Sequence, residues 1–508
     1  MEPHRIRWNG WGLTSRADTL PDTAWRWLAD AFAMPALLAT PPRELASLSL
    51  PASRLTEDAA GRLAAIASVK RDDFARASHT AGRGVALLKL RGGDLSAAPD
   101  AVLYPRSEEQ VLALLALCAE LGIAVTPFGH GAALDGADPG AHAAVVSLDL
   151  SALSRVMSVD TVSGLAQAEA GITGPELEHQ LAARGMTLGH RPDNFEFSTL
   201  GGWIAADEPG QEAARYGRAA DWLAGVRVAT PRGLLAPAGE LTQMLPGSRG
   251  ALGVITLATV RIRALPAAQE HRGYLFPDFA SGLAAIREAQ RTGLPHTMLR
   301  LSDDGETRFA RALAHHRWDV AARLFDAWLA MRRFDGKAAQ MLAGFAGSAA
   351  EVQKARRQFD ALAKRSGALA LGVDRKWAGQ RFAEGYRRDA LLDRGVGVGQ
   401  ITAAARWADL PTLYVTVRAA LRQAMRAHVP LSRAHGLVLC HVAQAWPDRA
   451  MLRFTYLYPR LLDGDVAQAE AIHDAGLKAV AASASALETE ALQGLKQTLD
   501  PKDILTPG

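Results

Sequence analysis

Three glycine-bearing loops, each set beside a strand-like run, restrict what the first half of this chain can become. They read PFGHGAALDG (Pro127–Gly136), FSTLGGW (Phe197–Trp203) and PGSRGALGVI (Pro246–Ile255). Glycine opens the left-handed backbone and lets main-chain N–H groups close around an anion. Singly, each loop is an ordinary turn. The first, with Gly129 and Gly131 around His130, is not the dinucleotide fingerprint, because a third glycine is missing and no helix clearly follows. Together, in this order and with this much chain between them, they specify a nucleotide-binding domain of short strands and few helices. In the second loop the hydroxyls of Ser198 and Thr199 precede the pair Gly201-Gly202, a combination suited to phosphate oxygens. Five residues further come Asp207 and Glu208, which an anion site should repel.

The flanking pattern supplies the rest of the architecture. AVLYP and IAVTPFG read as strands around a helix, SEEQVLALLALCAELG, capped by Ser107 and stopped at Gly122. Short strands continue to about Leu265. Beyond Pro266, longer amphipathic helices at 306–333 and 349–366 alternate with strands such as GLVLCHVA and MLRFTYLY. The expected division is an N-terminal helical lead-in over 1–94, a nucleotide-binding domain over 95–266, a second α/β domain over 267–458 and a helical C-terminal segment over 459–508. A net charge of +4 spread over dispersed arginines does not make a nucleic-acid surface. The two cysteines, Cys118 and Cys440, lie in apolar runs and read as core thiols, with no metal site implied. The first residues lack the apolar core of a signal peptide and no apolar run reaches membrane-spanning length, so the expectation is a cytoplasmic protein.

With YPRSEEQV before the first loop and ATPRG before the third, the order of these segments resembles the flavin-binding domain of the vanillyl-alcohol-oxidase/PCMH family. WNGWG (Trp8–Gly12), GHRPDNFEFSTLGGW, GSRGALGVIT, LRLSDDGET, YRRDALLDRGV and DPKDILTPG extend the resemblance, in order and spacing, to its alkyldihydroxyacetonephosphate synthase branch. The resemblance implies an α+β fold: a two-subdomain PCMH-type FAD-binding domain, an α/β cap domain over the substrate and a helical C-terminal tail. It implies FAD, held extended between the subdomains, and a small-molecule substrate that is phosphate-bearing or lipid-like. A homodimer and peripheral membrane contact are compatible with it. Residue by residue, the FAD contacts would fall on Pro127, Phe128, Gly129, His130, Gly131, Ala132 and Ala133 in the first loop. In the second they would fall on Asp193, Glu196, Phe197, Ser198 and Thr199, followed by Ala206 and Pro209. The third would contribute Arg249, Gly250, Ala251, Leu252, Gly253, Val254 and Ile255. Arg300 and Arg388 match arginines that handle the substrate phosphate in that branch, and His190 matches a functional histidine.

Departures from the branch are equally specific. Its first loop reads Gly-Gly-Gly-Thr-Ser where this chain has Gly129-His130-Gly131-Ala132-Ala133, so two hydroxyl donors are lost. Thr-Arg-Ala-Ser becomes Ala206-Asp207-Glu208-Pro209, and a Glu becomes Arg249. A carboxylate about 4 Å from a phosphate oxygen costs about 4 kcal/mol at an effective dielectric near 20. The branch's acid/base tyrosine falls on Arg453, with Tyr456 the nearest substitute, although strand alternation puts it on the other face. A run of histidines followed by Gly-Val-Gly is absent from the tail. Three readings result: a divergent synthase, an FAD-linked oxidoreductase of altered specificity, or a non-catalytic relative that keeps the fold for stability or binding. In one variant of the flavoprotein readings, His130 tethers the flavin covalently.

Overall fold

Local chemistry sets the elements before packing does. The Ser107 hydroxyl accepts from the Gln110 N–H at 3.3 Å to open helix α1 (Glu108–Leu121), and Gly122, at φ 65°, ends it in the left-handed region that a side chain would oppose. In this computed structural model, residues 6–80, 85–129, 142–236, 239–314, 336–373, 377–429, 435–483 and 502–506 are described, with scattered positions between 328 and 334 and between 496 and 500.

The first sheet contains β1 (Ser68–Lys70), β2 (Ala101–Tyr104), β3 (Ile123–Phe128) and β4 (Ala144–Asp149), in the order β1-β2-β4-β3. β2, β4 and β3 run parallel, and their all-buried runs pack under α1 through Leu103, Val125, Val146, Leu114 and Cys118. β1 is an antiparallel edge, so the lead-in is not wholly helical: three of its residues extend this sheet. Residues 502–506 also return to it, where Leu505 bridges Val125 in parallel.

The second sheet is antiparallel. Its members are β5 (Val156–Asp160) and β6 (Leu165–Glu169), then β8 (Leu223–Thr230), β9 (Gly233–Leu235) and β10 (Val254–Arg261), ordered β5-β6-β10-β8-β9. β7 (Met186–Thr187) and β11 (Arg263–Ala264) form a separate two-stranded ribbon. The short helix α2 (Leu200–Ala206) lies between β7 and β8 in sequence and buries Leu200, Trp203 and Ile204 against the second sheet.

Two further antiparallel sheets follow. One orders β13 (Met298–Leu301), β14 (Ala339–Gly347), β12 (Ala268–Phe276) and β15 (Leu369–Val373), and is covered by α3 (Phe279–Arg291), with α4 (Asp304–Ala314) leaving its edge and α5 (Ala349–Arg365) alongside. The other, reached through α6 (Ala383–Leu392), orders β16 (Val396–Arg406), β18 (Arg449–Pro459) and β17 (Leu437–Ala445). α7 (Leu410–His428) and α8 (Asp465–Ala481) pack on one face of it. An isolated bridge between Ser302 and His441 joins the two sheets at β13 and β17. Both cysteines are buried, as core thiols should be, and burial pushes the Cys118 thiol up to about 12. The second part of the 306–333 helix and the Ala-rich patch after 483 lie outside the described residues.

Candidate functional site

A solvent-open cavity lies where β3 ends, α2 begins and β10 starts. Of the expected cofactor residues, Pro127, Phe128, Gly129, Ser198, Thr199, Ala206, Arg249, Gly250, Gly253 and Ile255 line it. Asn194, within the expected stretch from Asp193 to Thr199, lines it as well, whereas Leu150, Ala170 and Trp203 were not anticipated. A Cβ on Gly129 would stand 2.4 Å from the Thr199 hydroxyl oxygen, so only glycine lets this loop lie against the start of α2. The Thr199 hydroxyl accepts from the Gly202 N–H at 3.3 Å and keeps its own proton for a ligand. The Ser198 hydroxyl is already committed: it donates to Asn194 Oδ1 at 2.7 Å and accepts from Trp203 Nε1 at 2.6 Å. It holds the wall together rather than offering a free donor.

The two acidic residues that disturbed the sequence pattern are both engaged. Asp207 adopts φ 45° as the cap of α2 and pairs with Arg218 at 3.0 Å. Glu208 lines the cavity and accepts from Asn194 Nδ2 at 2.7 Å. Arg249, also left-handed at φ 51°, anchors its N–H on Ala205 O at 2.8 Å and leaves an exposed guanidinium at the rim. Apolar walls (Phe128, Leu150, Ile255), a glycine-tight loop, a hydroxyl donor and a rim cation suit an elongated phosphate-bearing cofactor. These residues fit FAD.

Not every predicted contact reaches this cavity. His130, Gly131, Ala132 and Ala133, and with them the tether, lie outside the described residues. Ala251, Leu252 and Val254 do not line it, and Leu252 and Val254 are core. Phe197 packs edge-on against Trp11, their centroids 5.5 Å apart, and Glu196 pairs with Arg16. Asp193 and Pro209 line a second cavity instead, whose other walls include Gln211, Met298, Arg300, Trp377, His441, Gln444 and Arg453. Because Asn194 and Glu208 face the first cavity while their neighbours Asp193 and Pro209 face the second, one stretch of chain is common to the walls of both.

The second cavity is built on ion pairs. Arg300 leaves β13 to donate to Glu306 at 2.9 Å and to Glu384 of α6 at 3.2 Å. Burial opposes its charge, but Glu384 and Glu306 outweigh that and raise its pKa. Arg453 pairs with Asp193, which also accepts from Gln211 Nε2 at 2.9 Å. Burial would raise the Asp193 carboxyl, yet Arg453 beside it holds it below the usual range. Gln444 Nε2 ties the rim to Gly210 O at 2.7 Å. His441, 2 % exposed, places Nδ1 2.9 Å from Glu306 Oε2.

The other catalytic candidates do not gather here. Tyr456 faces the core on the side of β18 opposite Arg453, where its hydroxyl meets His473 Nδ1 at 2.8 Å. It does not substitute for the lost tyrosine. Arg388, half-buried on α6, lines neither cavity, and its Nε has no partner among the described residues. His190 is buried between Trp203 and Trp222, at centroid distances of 4.9 and 5.2 Å, and also lines neither cavity. His441, Glu306, Glu384 and Gln444 were not anticipated. The one available signal was His441 itself, the single imidazole in the apolar run GLVLCHVA.

Residues 99–238 match the family described as FAD binding domain, and residues 265–508 the family described as FAD linked oxidases, C-terminal domain. An alkyldihydroxyacetonephosphate synthase of Dictyostelium discoideum is 31% identical over 479 residues, covering 86% of this chain and 78% of the relative. That of Trypanosoma brucei brucei is 28% identical, covering 77% and 66%. A solved alkyldihydroxyacetonephosphate synthase superposes with a TM-score of 0.87 at 28% identity, over 99% of this chain and 98% of the other. p-Cresol methylhydroxylase, at 15% identity and a TM-score of 0.64 over 90% and 98%, shares the fold. The cradle geometry and these likenesses agree: the chain belongs to the PCMH-type FAD-linked oxidase family, in its alkyldihydroxyacetonephosphate synthase branch, and FAD is its cofactor.

Proposed function

We propose that this protein is an FAD-dependent oxidoreductase of altered specificity, acting on a small hydroxyl-bearing molecule in the cavity beside Asp193, Arg300 and Arg453. One observation carries the reading: the position of the branch's tyrosine holds Arg453, paired with Asp193 on the cavity wall, while Arg300 is occupied by two carboxylates. A guanidinium whose charge is opposed by two carboxylates offers a phosphate dianion little net attraction. The wall of the second cavity thus departs from the branch at its acid/base position, while the described part of the cofactor cradle keeps Gly129, Ser198, Thr199 and Gly250. Bound FAD supplies the two-electron acceptor. The protein's own part is to hold the substrate against the stretch 193–209, exclude water with Trp377 and Met298, and fix the polar end with the paired arginines. The non-catalytic reading drew on losses in all three flavin loops and in the tail together; of these, Asp207 is paired with Arg218, which weakens that support in part, while Glu208, bonded to Asn194, still lines the cavity.

The test is spectroscopic. Purified protein should be yellow, release FAD on acid precipitation, and bleach anaerobically with a hydroxyl compound but not on mixing with an acyl-dihydroxyacetone phosphate and a fatty alcohol. A colourless protein that ignores added FAD, or one that forms the alkyl ether, would overturn the proposal.

A further inference from the structure

Within the second cavity, one group is placed for proton transfer and is unused by anything derived above. His441 sits on β17, brought beside β13 by the bridge between Ser302 and its own backbone. Its Nδ1 lies 2.9 Å from Glu306 Oε2, on the α4 helix that leaves β13. Burial works against the Glu306 charge, but His441 and Arg300 outweigh it and hold the carboxyl ionised. An ionised carboxylate can only accept, so the shared proton resides on Nδ1. The 3.4 Å approach of Arg300 to the same nitrogen is therefore ion packing and not a second hydrogen bond to it. Nε2 has no partner among the described residues and belongs to a side chain that lines the cavity; in the neutral Nδ1–H ring it is the nitrogen that carries the lone pair. A carboxylate that fixes the tautomer and orientation of an imidazole whose other nitrogen faces a substrate space is the arrangement of a general base.

Charge on the surrounding wall narrows the substrate. Arg300 and Arg453 are opposed by Asp193, Glu306 and Glu384, so the wall has no spare positive charge. A phosphate ester entering it would have to compete with these carboxylates for guanidiniums that are already paired.

We infer that His441, oriented by Glu306, is the base that removes the hydroxyl proton of an uncharged alcohol bound in this cavity. The inference rests on the oxidoreductase reading above. The O–H proton passes to His441 Nε2, the carbinol hydrogen leaves with its electron pair to the bound oxidised flavin as acceptor, and the C–O bond becomes a carbonyl. The alcohol loses two electrons and two hydrogens, and the acceptor gains the hydride. Glu306 is a positioning residue.

The experiment uses the full-length holoprotein. Histidine side-chain nitrogen NMR should show His441 as the Nδ1–H tautomer near pH 8, and Glu306→Gln should weaken that preference. An Nε2–H tautomer in the parent would overturn the assignment whatever the substrate. In parallel, anaerobic flavin bleaching is followed with benzyl alcohol, glycerol and glycerol 3-phosphate. The uncharged alcohols should bleach the parent, and His441→Asn should slow this about 10²–10⁴-fold with an unchanged flavin spectrum. Equal rates in parent and variant would remove the base while leaving the oxidoreductase reading intact. No bleaching of the parent by any of them would overturn both, and faster bleaching by glycerol 3-phosphate would overturn the uncharged class.

Discussion

His190 carries two ring nitrogens into a site 1 % exposed, between the indoles of Trp203 and Trp222, where neither finds a partner among the described residues. Burial alone lowers its pKa to about 3, so the native ring is neutral at any ordinary pH. In the unfolded chain the same ring protonates near pH 6.5. Above that value the two states bind protons alike and the site costs nothing extra. As pH falls from about 6.5 toward 3 only the unfolded state gains a proton, so stability is lost at about 1.4 kcal/mol per pH unit. His190→Phe keeps an aromatic between the two indoles and removes the titration. Urea midpoints at pH 7.5 and 5.0 should therefore fall for the parent and much less for the variant. A parallel fall in both would mean that this ring is solvated. The same feature makes the residue's matched role a poor guide here: its surroundings are those of a packing group, and a sequence motif conveys identity without burial.

At the level of elements, strand alternation decided more than motif matching. In MLRFTYLY the period of two places Arg453 and Tyr456 on opposite faces, and β18 does so, with Tyr456 in the core and Arg453 at the cavity. That much was legible in the sequence, as were the Ser107-capped helix and the glycine loops, because each is written within a few consecutive residues. What the sequence left hidden is of two kinds. β1 is three residues long and has no period to detect; it exists because β2 offers an edge. The second cavity depends on pairs such as Arg453 with Asp193, 260 positions apart, and no local pattern announces a partner at that distance. The pair also gives a prediction. Arg453→Met would leave Asp193 facing the cavity with only Gln211. With side chains 16% and 24% exposed, the loss should be about 1–3 kcal/mol, below the figure for a fully buried pair. Adding Asp193→Asn should restore at least half of it. If the double variant is no more stable than the single one, the carboxylate is not what Arg453 serves, and the bridge between the cradle segment and β18 is steric.

Over the whole molecule, the cofactor half and the cap half meet at a buried carboxylate. Glu212, 1 % exposed, lies just after the stretch common to the walls of both cavities. It pairs with Arg191 at 3.1 Å and with Arg381, ahead of α6, at 3.0 Å; His271 of β12 stands 3.9 Å away, beyond hydrogen-bond range. Burial would push this carboxyl up, but the cationic surroundings, Arg381 and Arg191 with His271 nearby, bring it down to about 2. A depressed carboxylate stabilises the fold fully above its unfolded pKa, near 4.5, and that contribution is lost as pH falls through the folded value. Glu212→Gln should accordingly cost about 3 kcal/mol at pH 7, and the gap from the parent should narrow by about 1.4 kcal/mol per pH unit only below 4.5. Because Gly210 and Gln211 form part of the wall of the second cavity, the same variant should loosen the junction between the two halves. Differential scanning with and without saturating FAD checks both parts. FAD binds only the assembled cradle, so its stabilisation should be smaller in the variant by the same linkage that makes it large in the parent. A gap that stays constant from pH 7 to 3.5, with full FAD stabilisation retained, would place the junction between the halves in the apolar core and not in this carboxylate.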